Sequence, residues 1–116
     1  MSNMADLNWV GFYLFDGEKL YLGPFQGLAA VTQIEIGKGV CGHSALKKET
    51  IIVDDVKQFF GHITCDSASK SEIVLPIIKD KQLLGVLDID SPKLNRFQEK
   101  DKQRLEHLVK LLVDIL

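Results

Sequence analysis

Cysteine is scarce in this chain, two among 116 residues, and that scarcity excludes a small fold stapled by disulfides. No apolar run is long enough to cross a bilayer, and residues 1–6 lack the charged-then-apolar pattern of a secretory signal. An excess of one charge sign is also missing: 14 basic and 16 acidic side chains leave a net charge of −2, with the signs interspersed. That balance gives no footing to nucleic-acid or anionic-membrane binding. The most basic tract, residues 93–102, also carries Glu99 and Asp101 and reads as a solvated helix start. A cytoplasmic protein is the default expectation. In a reducing compartment two cysteines are buried thiols, metal ligands or redox catalysts rather than a structural bridge.

What is present fits one ordinary domain, 46% hydrophobic and 26% charged, long enough for a real core. Trp9–Phe15 alternates in the manner of a strand, with Trp9, Gly11, Tyr13 and Phe15 on one side and Val10, Phe12 and Leu14 on the other. Asp16-Gly17-Glu18 turns the chain into a second strand over 19–23. Pro24 and Gly27 predict that residues 24–28 bend or leave the sheet. A third strand is expected over 30–36, then a turn at Gly37-Lys38-Gly39 and a short helix over 41–49. Cys41 would sit near the amino end of that helix, where free N–H groups and the dipole favour a thiolate. Residues 50–53 read as a fourth strand, and 73–78 with 83–90 as a hairpin around 79–82. Beyond the Pro92 connector, a helix from Phe97 onward places Leu105, Leu108, Val109, Leu112 and Leu116 at the spacing of one buried face. The sum is an α+β fold: an antiparallel sheet of five to six strands, a C-terminal helix on one face, and a short helix after the third strand.

Between the fourth and fifth strands lies a polar stretch, Gly61-His62-Ile63-Thr64-Cys65-Asp66 and on to Ser71-Glu72. A connection this long in a compact domain calls for a function. Asp88 and Asp90 alternate onto one strand face with Leu84 and Val86. With Glu72 at the end of the neighbouring strand, three carboxylates would converge beside the loop that carries Cys65. Crowding raises the pKa of at least one of them, leaving a protonated acid at neutral pH. The residues alone leave the choice of nucleophile open: Cys41 has the helix terminus, Cys65 the loop and the carboxylates.

The segments Asn8-Trp9-Val10-Gly11-Phe12-Tyr13, Gly39-Val40-Cys41-Gly42, Gly61-His62-Ile63-Thr64-Cys65-Asp66, Ser71-Glu72-Ile73 and Asp88-Ile89-Asp90-Ser91 together resemble the free methionine-(R)-sulfoxide reductases, which are built on a GAF domain. The resemblance runs from about Asn8 to the C-terminus and implies a single GAF-like domain over 1–116, without the family's N-terminal helical segment. It implies Cys65 as nucleophile, Cys41 as resolving thiol, and Glu72, Asp88 and Asp90 as the groups that contact and protonate substrate. Trp9 and Tyr13 would enclose the substrate's methyl-thio end. Thioredoxin is the implied reductant, free methionine sulfoxide the substrate, and a homodimer the suggested assembly. No metal or organic cofactor is required. Val31 stands where many relatives carry a third cysteine, so recycling would fall to Cys41 or to an external thiol.

Plainer readings stand beside these. A GAF fold alone defines a ligand-binding module without catalysis. Trp9 and Tyr13 are by default core aromatics, and Cys41 by default a small buried side chain. Cys41, His43, His62 and Cys65 form a two-cysteine, two-histidine set that would suit zinc, although Cys-x-His and His-x-x-Cys are unlike finger spacings.

Overall fold

Six strands in the order β3-β2-β1-β6-β5-β4, each antiparallel to its neighbours, form the sheet that organises the chain. The computed structural model describes residues 6–59 and 69–116. The strands are β1 (Trp9–Phe15), β2 (Lys19–Gln26), β3 (Gln33–Glu35), β4 (Ile51–Val53), β5 (Ser71–Lys79) and β6 (Gln82–Ser91). Helix α1 (Gly39–Lys47) follows β3, and helix α2 (Glu99–Asp114) ends the fold. Neither is long and apolar enough to cross a membrane.

The alternation expected of β1 holds and divides the interior in two. Trp9 and Tyr13 join Val40, Cys41 and Ala45 of α1 with Val53, Val74 and Val86 on one face. Val10 and Phe12 join Ile73, Leu75, Ile77, Ile89, Phe97 and Val109 on the other, under α2. The interruption expected at Pro24 takes the form of a bulge: β2 continues to Gln26, and residues 27–28 leave the sheet. Its register with β1 passes from Gly11↔Phe25 to Tyr13↔Leu22, so Gly23 and Pro24 together oppose Phe12. A bulge is the place in a ladder where a missing N–H costs no bond. The third strand is shorter than expected, three residues at the sheet edge. The carbonyls of Leu28 and Val31 instead accept from Trp9 Nε1 (2.9 Å) and Tyr13 Oη (2.8 Å).

A second bulge corrects the face assigned to Leu84. Pairing jumps from Ile77↔Gly85 to Ile78↔Leu83, and the extra residue turns Leu84 toward the α2 side while Val86 stays on the α1 side. The β5–β6 turn uses Asp80 and Lys81 at φ 52° and 69°, the left-handed pair a two-residue hairpin requires. Helix α2 also departs from the single buried face expected for it. Leu105, Val109 and Val113 pack on the sheet, whereas Leu108 and Leu116 are more than half exposed. The helix starts at Glu99, where Gln98 and Asp101 form a reciprocal capping box. Phe97 lies before it, buried against the same core.

Candidate active site

Glu72 and Asp90 meet across the β5–β6 ladder as directly opposed residues, with Val53 and Trp9 completing the same row of the sheet. One row along, Asp88 lies between Val74 and Gly11. Alternation turns all three carboxyl side chains to the α1 side, and each is at most 3% exposed. Helix α1 crosses above them and brings down Cys41, the third residue of the helix and buried. One ligand atom each from Cys41, Glu72 and Asp88 lies within 4.8 Å of the other two.

Opposed carboxylates in a sheet repel, and burial removes the water that would screen them. Burial first, then the charge of Asp90, pushes the Glu72 carboxyl up to about 8. Burial and then the neighbouring charge of Glu72 hold Asp88 well above the usual carboxylate range. Neither oxygen of Asp88 has a hydrogen-bond partner outside this buried group. Within it, Glu72, Cys41 and Asp90 are the side chains that interact with the Asp88 carboxyl. The pair therefore titrates as a unit and retains a proton at neutral pH. A carboxylic acid that remains neutral at pH 7 is a hydrogen-bond donor and a general acid.

The aromatic wall is built with equal economy of space. Trp9 stacks between Phe25 (centroids 5.6 Å) and Tyr13 (6.1 Å), and Trp9 and Phe25 close over Gly11. A Cβ on Gly11 would stand 2.6 Å from Phe25 Cβ and 2.7 Å from Trp9 Cζ3, with Trp9 Cη2 closer still. This residue was not singled out from the sequence, where a glycine inside a strand carries no sign of which ring crosses it. Gly11→Ala is expected to displace the indole and lower stability by about 1–3 kcal/mol. Because Trp9 is the chain's only tryptophan, a shifted fluorescence maximum together with a lower Tm would report both effects.

Cys65 and His62 lie outside the described residues. The chain re-enters at Ser69, buried, whose Oγ accepts from Asn8 Nδ2 at 3.0 Å. His43 is engaged by the Gly39 carbonyl through Nδ1 (2.6 Å) and packs edge-on against Phe59. The potential metal ligands that cluster among the described residues are Cys41, Glu72 and Asp88, without His43. A surface cleft of about 560 Å³ lies between α2 and the β4–β5 side and includes Lys48, Pro76, Lys102 and Glu106. None of the buried acids Glu72, Asp88 and Asp90 lines it.

A sheet with one helix over the acid-bearing face and a second behind it defines the protein class: this is a GAF fold, and the GAF domain family matches residues 1–114. The chain is 48% identical over 115 residues to the free methionine-R-sulfoxide reductase of Escherichia coli K12, covering 99% of this chain and 70% of that protein. The enzyme of the same name from Saccharomyces cerevisiae is 51% identical over 115 residues, covering 96% of this chain and 64% of that protein. The structure of fRMsr of Staphylococcus aureus in complex with substrate superposes with a TM-score of 0.89 at 54% identity, over 94% of this chain and 71% of that one. The chain belongs to the free methionine-R-sulfoxide reductase family of GAF domains. It spans roughly two thirds of the length of these relatives, between 64% and 71%.

Proposed function

We propose that this chain reduces free methionine-(R)-sulfoxide to methionine, with Cys65 as nucleophile. The observation that carries the reading is the buried meeting of Cys41, Glu72 and Asp88, with Glu72 raised to about 8. Family membership supports it, and so do the relatives that carry this activity in their names.

Removing oxygen from a sulfoxide needs a nucleophile on sulfur and a proton on oxygen. The Cys65 thiolate attacks the sulfoxide sulfur, a neutral carboxyl among Glu72, Asp88 and Asp90 protonates the oxygen, and that oxygen passes to the Cys65 sulfur as its bond to the methionine sulfur breaks. The sulfoxide sulfur gains two electrons and leaves as methionine, and Cys65 loses two and becomes a sulfenic acid. Cys41 then condenses with it, releasing water and forming a disulfide. A dithiol of the thioredoxin type returns both thiols by exchange. The remaining carboxylates pair with the substrate ammonium, which favours the free amino acid over the same residue in a peptide. Trp9 and Tyr13, buried on the same face of the sheet as the acids, would enclose the methyl-thio end of the substrate.

The test is thioredoxin-coupled NADPH oxidation with the two epimers of free methionine sulfoxide. Turnover of the R epimer with loss of both free thiols after substrate alone is the expected result. Thermal stabilisation by the sulfoxide with both thiols intact would make the chain a ligand-binding module instead. Cys41→Ser should release about one methionine per chain in a single burst and then stall with thioredoxin. Undiminished steady-state turnover in that variant would remove Cys41 from the cycle.

A further inference from the structure

Cys41, Glu72 and Asp88 direct one sulfur and two carboxyl groups to a common point, each atom within 4.8 Å of the others and all three residues buried. Two acids near each other would by themselves mean little. Here Asp88 has no exposed surface, and neither of its oxygens has a hydrogen-bond partner outside the buried group of Cys41, Glu72 and Asp90. None of the ion pairs found among the described residues involves it. A carboxyl enclosed without a counter-charge is costly to ionise, and a cation at the common point would offset that cost.

We propose that Cys41 Sγ and one oxygen each of Glu72 and Asp88 form a binding site for a thiophilic divalent cation, Zn²⁺ being the probe, whose occupancy inhibits the enzyme. The donor set selects the ion. One sulfur and two carboxylate oxygens suit zinc, which takes Cys sulfur at about 2.3 Å and carboxylate oxygen at about 2.0–2.2 Å. Tetrahedral bonds of those lengths place ligand atoms roughly 3.3–3.7 Å apart, so closing the cluster requires small side-chain shifts only. Magnesium and calcium call for more oxygens and no sulfur. The three ligands stand on α1, β5 and β6, elements held by helix packing and strand pairing. The fourth position remains for water. The inhibition rests on the reductase reading, because the ion would occupy both the resolving thiol and the proton donors. The binding does not rest on it.

The experiment titrates reduced, metal-free protein with Zn²⁺ by calorimetry and with Co²⁺ by absorbance. One ion per chain and a thiolate-to-cobalt charge-transfer band are expected. The band should vanish in Cys41→Ser and persist in Cys65→Ser. Affinity should fall at least tenfold in Asp88→Asn, with circular dichroism establishing that each variant is folded. Methionine formation by the parent should decline in proportion to zinc bound. A band that survives Cys41→Ser, equal affinity in Asp88→Asn, or the lack of saturable one-to-one binding would overturn the site. Metal-free protein that binds cobalt as described but makes no methionine would sink the reductase reading and leave the ion site standing. The converse result would do the reverse.

Discussion

Cys65→Ser is expected to abolish reduction of free methionine-(R)-sulfoxide, with kcat/KM falling on the order of 10⁴-fold or more, as when a covalent nucleophile is removed. A serine hydroxyl is barely ionised at neutral pH and is a poor nucleophile toward a sulfoxide sulfur. No positioning of the acids compensates for that loss. The comparison with Cys41→Ser separates the two roles. Without Cys65 there is no first methionine. Without Cys41 there is one, and a sulfenic acid accumulates that a sulfenic-acid-specific reagent captures in the mass spectrum. Retention of more than a tenth of parental kcat/KM in Cys65→Ser would transfer the nucleophile's role to Cys41.

Glu72→Gln should lower activity by about 10²–10⁴-fold while making the protein more stable, a trade that separates a proton donor from a structural group. The sign follows from the raised carboxyl. In the unfolded chain a glutamate titrates near 4.5, and in the fold Glu72 titrates near 8. Below pH 4.5 it is protonated in both states and costs nothing. As pH rises toward 8 the unfolded chain ionises and the fold does not, so stability drains away through that window. At pH 7 the loss is on the order of 3 kcal/mol. Glutamine keeps the shape and has no charge to bury, so its advantage over the parent should grow from near zero at pH 4.5 to its full value by pH 8. Urea unfolding of both proteins across that range measures it. An advantage independent of pH would mean that Glu72 is not protonated in the fold. The parental kcat should also fall above pH 8, as the donor ionises.

Much of this site was legible because it rests on local periodicity. Asp88 and Asp90 share a face whatever surrounds them, since a strand alternates by construction. Cys41 sits at a helix amino end because Gly37-Lys38-Gly39 stops β3 and lets α1 begin. What periodicity could not supply was partnership. Nothing within residues 71–79 states that Glu72 faces Asp90 rather than a residue two positions away. The pairing of β5 with β6 decides it, and that register is set by the turn at Asp80-Lys81 and the bulge at Leu84.

The chain's own residues determined the α+β class, the alternating faces of β1, and the shared face of Asp88 and Asp90, all of which follow from side-chain type and nearest-neighbour geometry. Tertiary structure alone decided that α1 carries Cys41 onto the acids, that Leu84 turns to the α2 side, and that Leu108 and Leu116 stay exposed. Long-range packing settles such matters, because which surfaces bury each other is a property of the whole assembly of elements and not of any one segment.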